Sequence, residues 1–468
     1  MTGVVSSVGA FVLTAGLVAE LTGGRLVSGA PDAVFAAVSI DSRTLQPGAL
    51  FVALRGARDG ETFAAAAVER GAAGLLVTRP PERAGDAAVV LVPDTLQALQ
   101  ALGRQARRRS GARVVAITGS AGKTTTKEII AHLLESKYRV YRSRGNFNNH
   151  IGLPLSLVEL ASGPEVAVVE LGMNHAGEIR RLVELSEPDV RVWINVGDAH
   201  IGAFGSREAV AAAKAEILER STPGTVVVAN ADDALVMAHA GRAERLVTFG
   251  AAAGATVRLD HIVDRGLDGT EARLTTPAGQ FTFALALPGR VQVLNAAAAA
   301  AVAFHFEVET AEIGARLSSV RPVRRRGAQV MLPAGVRVID DSYNASPDAM
   351  LAMLDALGRT AAAGRRVAVL GEMLELGDQA RELHEACGRS AARAGVGLLV
   401  VVGGVAADGL VEGAVAAGLA PSRIRRFADS AAAADVIRGL VAPGDVILVK
   451  GSRGTRTDVV ADRLGGAA

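Results

Sequence analysis

The chain has 468 residues, half of them apolar, and a formal net charge of +2. That length exceeds what one core organises and fits roughly three domains, while the near balance of charge leaves no global field calling for nucleic acid or a membrane surface. The single cysteine, Cys387, excludes an intramolecular disulfide and a cysteine-cluster metal site; within a helical stretch it reads as inert packing.

The apolar start, residues 4–19, has no basic residue before Arg25 and so lacks the charged flank of a signal peptide. Alanine supplies much of the apolar content, favouring helices without implying a membrane. In the first hundred residues, strands are predicted at 51–54, 74–77 and 88–92, with a helix at 63–70. Arg104, Arg107, Arg108 and Arg109 follow on a predicted helix end. They form either a local site for anions or a solvated cap that complements the helix dipole.

From residue 113 the alternation of strand and helix becomes regular. Buried strands are predicted at 113–117, 166–170, 190–194 and 225–229, the pattern of a parallel sheet. Residues 255–285 read as an antiparallel flap, and 294–306 as a helix whose apolar run is too short to span a bilayer. A Pro- and Arg-rich linker, 321–327, precedes strands at 336–340, 366–370, 398–402 and 446–449, an alternation similar to a dinucleotide-type fold. The expected class is therefore α/β with three domains: 1–112, 113–320 and 321–468. A cytoplasmic, soluble protein fits this composition best.

The strongest local signal runs from Val114 to Thr126, a buried strand entering Gly119-Ser120-Ala121-Gly122-Lys123-Thr124-Thr125. A strand, a glycine turn and a helix start together aim backbone N–H groups at phosphates, add an ammonium, and offer a hydroxyl to Mg²⁺. The spacing Gly-x-x-Gly-Lys-Thr is shorter than the usual phosphate loop, since position 117 is Ile. Nucleotide binding follows from the loop; the reaction does not. The next strand ends in Glu170, where a metal needs an oxygen ligand. The one after it leads to His200 just past a strand end, which favours a ligand over a packing residue. Lys214, in the run Ala211-Ala-Ala-Lys-Ala, taken alone reads as a surface lysine.

Together these motifs resemble the Mur ligase family. Gly145-Asn-Phe-Asn-Asn-His-Ile-Gly-Leu-Pro154, Glu170-Leu-Gly-Met-Asn-His175, Asp340-Asp-Ser-Tyr-Asn-Ala-Ser-Pro347, Gly371-Glu-Met-Leu-Glu-Leu-Gly377 and Leu448-Val-Lys-Gly-Ser-Arg453 carry the likeness along the whole chain. The resemblance implies a UDP-binding first domain, a central phosphate-loop ATPase sheet with a flap, and a C-terminal domain that receives the amine. It implies ATP, two Mg²⁺ ions and a CO₂-derived carbamate on Lys214. Lys123 and the loop from Gly119 to Thr125 would hold the phosphates. Thr124 and Glu170 would hold one Mg²⁺, His200 and Lys214 the other. Asn295 would contact adenine, Arg326 the phosphates and Asp341 the ribose, with Ser42 and Arg43 on the uridine diphosphate.

Within the family the likeness points to the members that join D-alanyl-D-alanine to UDP-N-acetylmuramoyl-tripeptide, acting as a monomer. Three departures stand out: Val291-Gln292 replaces His-Asn, Arg325 replaces a glycine, and Asp59-Gly-Glu61 replaces Asp-Gly-His. Arg324, Arg325 and Arg326 are all candidates for the phosphate contact. Alternatives are the ligase that adds the diamino residue one step earlier and a phosphate-loop switch without ligase activity. A folyl-polyglutamate synthetase would share the chemistry without needing a UDP-type first domain.

Overall fold

A computed structural model of the chain describes residues 9–56 and 58–465; residues 4–8 of the apolar start lie outside them. The chain folds as two compact units. One comprises the residues up to Thr118, with Lys137–Val192 and Glu216–Val226; the other comprises Gly119–Ser136, Trp193–Ala215 and everything from Val227 on.

In the first unit a five-stranded sheet is built from β1 (Arg25–Ser28), β2 (Val38–Ser39), β3 (Leu50–Val52), β4 (Gly74–Val77) and β5 (Ala88–Leu91), in the order β1-β5-β4-β3-β2. All neighbours are parallel except β1, which runs antiparallel to β5. Leu50, Val52, Leu76 and Val90 share one core with Leu99 and Leu102, while Phe51, Leu75, Val77 and Val89 share another with Ala64 and Ala67. Strands buried on both faces need continuous apolar runs, which is why three of them are legible in the sequence.

The helix Thr95–Ser110 starts on an Asp94 side chain that accepts from Leu96 N and Gln97 N, and stops at Gly111 with φ 62°. Its arginines do more than cap it. Arg104 and Arg108 pair with Glu187, Arg107 with Asp189, and Arg109 with Glu20. Arg107 also donates to the carbonyls of Ser186 and Glu187, at the end of the helix Glu178–Ser186. The basic run thus fastens two helices.

A nine-stranded sheet contains β6 (Arg113–Thr118), β7 (Val140–Arg142), β8 (Val166–Glu170), β9 (Val190–Trp193), β10 (Val226–Asn230), β11 (Leu246–Gly250), β12 (Val257–Asp264), β13 (Thr270–Thr276) and β14 (Gly279–Leu285). Within the first unit the order runs β9-β6-β8-β7, and within the second β14-β13-β12-β11-β10. In the first unit β6, β7 and β8 pair in parallel. In the second, β10 to β12 pair in parallel and β12 to β14 antiparallel, which is the expected flap. The helix Val291–His305 buries every side chain from Ala296 to Ala303. It begins ahead of the apolar run that signalled it.

The second unit also holds a six-stranded sheet of β15 (Ala328–Met331), β16 (Arg337–Asp341), β17 (Arg366–Gly371), β18 (Val396–Val402), β19 (Ile424–Phe427) and β20 (Val446–Lys450), ordered β15-β16-β20-β17-β18-β19. It is parallel apart from β15. Ile339, Ala368, Leu370, Leu399 and Leu448 face one core; Val338, Val369, Val400, Ile447 and Val449 face the other. Cys387 is fully buried, and burial pushes its thiol up to about 12, consistent with inert packing. Among the described residues no helix is long and apolar enough to cross a membrane.

Candidate active site

The phosphate loop leaves β6 and is held at three points by one asparagine, among other contacts. Asn195 Oδ1 accepts from Ala121 N at 3.0 Å, its Nδ2 donates to Ala121 O at 3.2 Å, and its carbonyl accepts from Ser120 N at 3.2 Å. Ser120 Oγ exchanges hydrogen bonds with Gly197, at 3.2 Å to its carbonyl and 2.9 Å from its amide. Gly122 sits at φ 85° and starts the helix Lys123–Leu134. A Cβ there would lie 2.4 Å from Asn295 Oδ1, so only glycine fits both the turn and the neighbour. Lys123 Nζ donates to Gly119 O at 2.5 Å, folding back over the turn. Thr124 is buried and Thr125 half-buried on the first helical turn. Asn295 has a second partner, its Nδ2 donating to Gln292 Oε1 at 2.8 Å.

In the same unit, Lys214 lies on the helix Arg207–Ala215 and is 1 % exposed. The surface reading of this lysine is wrong: three of its neighbours, Val210, Ala211 and Ala213, are buried with it. Burial first, and the charge of Lys123 second, hold its ammonium well below the usual lysine range. His200 feels the same basic groups. Burial and Lys123 lower its pKa, with Lys214 adding to them, against the opposing pull of Glu375. His200 Nδ1 lies 2.9 Å from Glu375 Oε2.

In the other unit Glu170 is buried at the end of β8, in register with Ile117 of β6, just ahead of Thr118 and the loop. Two motifs meet beside it: Gly172 N donates to Asn148 O at 2.8 Å, and a Cβ on Gly172 would lie 2.9 Å from Asn148 Cγ. Asp41 and Arg43 form a closed local turn, bidentate at 2.9 and 2.7 Å, and Arg43 pulls the Asp41 carboxyl down to about 2. Ser42 between them is half-buried. Glu61, at the position of the missing histidine, accepts from Thr78 N at 2.6 Å and pairs with Arg79 at 2.7 Å.

The three arginines of the linker separate cleanly. Arg325, at φ 63°, pairs with Asp458 and Asp462, and Arg324 is exposed near Asp462. Arg326 instead lies 4.0 Å from the centroid of the Tyr343 ring and lines a narrow pocket with Thr125, Glu128, Gln292 and Val323. Val291 points elsewhere, into a cavity of about 290 Å³ with Asp232, Arg290 and Asp355. Asp341 Oδ2 accepts from Lys450 Nζ at 2.5 Å, and the same ammonium reaches Asn344 O at 3.1 Å, joining two motifs. Two functional candidates lay beyond sequence reasoning, Asn195 and Glu375, because each is defined only by a distant partner.

Comparison with known proteins agrees with this layout. Family models match in chain order: the Mur ligase family catalytic domain at 34–109, the Mur ligase middle domain at 117–303, and the Mur ligase glutamate ligase domain at 325–453. The UDP-N-acetylmuramoyl-tripeptide–D-alanyl-D-alanine ligase of Bacillus subtilis is 34% identical, covering 96% of this chain and 97% of the relative. The crystal structure of MurF from Acinetobacter baumannii superposes with a TM-score of 0.86 at 31% identity, covering 98% and 100% of the two chains. MurF from Thermotoga maritima, in complex with ADP, gives 0.78 at 31%, covering 92% and 97%. With a likeness of this depth along nearly its whole length, the chain belongs to the Mur ligase family.

Proposed function

We propose that the chain joins D-alanyl-D-alanine to UDP-N-acetylmuramoyl-tripeptide through an acyl phosphate, giving the UDP-muramoyl-pentapeptide, ADP and phosphate. The observation that carries this reading is the phosphate loop, clamped by Asn195, with Lys123 close in charge to a buried Lys214 and to His200. Near full-length likeness to ligases of that name supports the choice of substrates.

The chemical demand is to bring an anionic carboxylate up to an anionic phosphate. Lys123 and the loop amides from Gly119 to Thr125 neutralise and orient the ATP phosphates. Arg326 adds a guanidinium from the linker, its plane set by Tyr343. Asn295, packed against Gly122 of the loop, is assigned to the adenine, and Asp341, oriented by Lys450, to the ribose. Ser42 and Arg43 are assigned to the uridine diphosphate, although Arg43 is already engaged by Asp41.

Among the described residues no three His, Cys, Asp or Glu side chains gather as a metal site. The donor types suit Mg²⁺ all the same, as the family resemblance assigns them: the Thr124 hydroxyl and the Glu170 carboxylate for one ion, the His200 imidazole and a carbamylated Lys214 for another. Bound there, the ions would supply positive charge to the phosphoryl oxygens and the carboxylate. A buried lysine with a depressed pKa carries the free amine that adds CO₂, and the carbamate replaces a cation with an anionic oxygen.

Domain boundaries near 112 and 320 are part of the proposal, and the gaps between the matched segments support them. So is action in the cytoplasm as a monomer, which light scattering checks. In a coupled ADP-release assay, turnover should require ATP, the tripeptide carrier and the dipeptide together. Lys123→Ala should abolish it with the fold intact by circular dichroism. ATP hydrolysis indifferent to the other two substrates would mean a nucleotide switch instead.

A further inference from the structure

His200 and Glu375 face each other from different parts of the second unit, and both backbones are in the left-handed region, each at φ 67°. Such a conformation is uncommon outside glycine and persists where its surroundings hold it. The surroundings here are close. A Cβ on Gly202 would lie 2.5 Å from Gly377 N and 2.8 Å from Glu375 O, and one on Gly377 would lie 2.9 Å from Gly202 Cα. The segment bearing Glu375 is itself anchored. Met373 N donates to His384 Nε2 at 2.8 Å, Leu374 N to Ser452 Oγ at 3.0 Å, and Thr455 Oγ1 to Glu372 O at 3.0 Å. Met373 and Leu376 are buried beneath it. Glu375 turns outward, its side chain 65 % exposed, and reaches the imidazole at 2.9 Å.

We propose that Glu375 is a positioning residue for His200: it accepts the Nδ1–H, fixing that tautomer and leaving Nε2 with its lone pair on the far side of the ring for a divalent cation. Histidines that bind metals through one nitrogen commonly donate the other N–H to a carboxylate, which fixes the ring and strengthens the ligand. Here that carboxylate comes from the segment after β17, in the six-stranded sheet. Seating of this segment and completion of the cation site on the segment after β9 are therefore one event. This rests on the reading of His200 as a metal ligand.

The test uses the full-length protein with a non-hydrolysable ATP analogue, and Mn²⁺ as the probe ion. Long-range ¹H–¹⁵N spectra of histidine-labelled protein, with His200 assigned from H200A, should show His200 protonated on Nδ1 before any metal is added. E375A should lose that signature and weaken one of the Mn²⁺ ions counted by electron paramagnetic resonance by about 10- to 100-fold. E375Q, which keeps an acceptor oxygen, should retain the Nδ1–H form and most of the Mn²⁺ affinity. Loss of an ion in H200A but not in E375A, with the tautomer unchanged, would overturn the role of Glu375 alone. Retention of every ion in H200A would overturn the reading of His200 beneath it. A fall in melting temperature in E375A with both readouts unmoved would make the contact a structural latch and overturn the proposal.

Discussion

Lys123 and Lys214 sit within reach of each other's charge, and the buried partner, Lys214, is the one held well below the usual lysine range. Two ammonium groups within reach of each other's charge are unfavourable, so a fully buried lysine here is stable as a neutral amine or as a carbamate. Substituting Lys214 by methionine keeps the stem and removes the nitrogen. Ligation should fall by at least about a hundredfold, the scale seen when support for a metal is lost. Acetate should restore part of it to Lys214→Ala by occupying the vacated space, and bicarbonate depletion should slow only the wild type. Steady-state ligation rates decide this. A fully active Lys214→Ala would return the residue to a packing role.

Gly122 is constrained twice, by φ 85° and by Asn295 Oδ1 at 2.4 Å from the place of a Cβ. Gly122→Ala should destabilise the fold by about 1–3 kcal/mol and cost at least tenfold in ADP affinity by calorimetry. Adding Asn295→Ala should relieve the contact but not the backbone strain, so recovery should be partial. Wild-type ADP affinity in Gly122→Ala would count against the tight turn.

Asn195 holds Ala121 by both its oxygen and its nitrogen. Asn195→Ala leaves that amide and carbonyl without their partner, a loss on the order of 1–3 kcal/mol. It should appear as a raised KM for ATP more than as a lower melting temperature. Asn195→Asp keeps the acceptor for Ala121 N and should fall between. Unchanged ATP kinetics in the alanine variant would argue that the loop holds itself.

His384 is neutral in the folded chain: its Nε2 accepts from Met373 N, and its Nδ1 faces Ala380 O at 2.6 Å. Burial lowers its pKa against the opposing pulls of the Ala380 carbonyl and Glu372. The folded state thus binds this proton less readily than the unfolded chain, whose value is about 6.5. Its contribution to stability is complete above that value and is lost as pH falls towards the folded one. Denaturant midpoints at about pH 7.5 and pH 5.5 should therefore differ less in His384→Gln than in wild type. An equal acid loss in both would place the effect elsewhere.

Much of the fold was legible because its strands are buried on both faces. The runs at β4, β6, β8, β17 and β20 are unbroken apolar residues bounded by turns. Most strands that escaped are edges or short, and the five-residue interior strand β11 escaped with them. β1 and β15 expose most of their side chains, so no periodicity marks them. At the site, the phosphate loop is local and speaks for itself. Glu170 and His200 stood out by lying at or just past strand ends, but Lys214 needed the family's pattern, and it was misjudged alone because an alanine-rich helix hides which face is buried. The roles of Asn195 and Glu375 were not legible: Glu375 lay within a family motif, Gly371–Gly377, but an asparagine after a strand and a glutamate in a loop acquire these roles only when Ala121 and His200 are set against them.

The amide that is made identifies the enzyme most directly. The protein should be incubated with ATP, UDP-muramoyl tripeptide and D-alanyl-D-alanine. A parallel reaction should offer the dipeptide-bearing carrier and a diamino acid, and a third single amino acids with the tripeptide carrier. Mass spectrometry should find the tripeptide carrier extended by one D-alanyl-D-alanine less water, with ADP in equal amount, and little product in the other two. Efficient joining of the diamino acid to the dipeptide carrier would contradict the account and assign the chain to the preceding step.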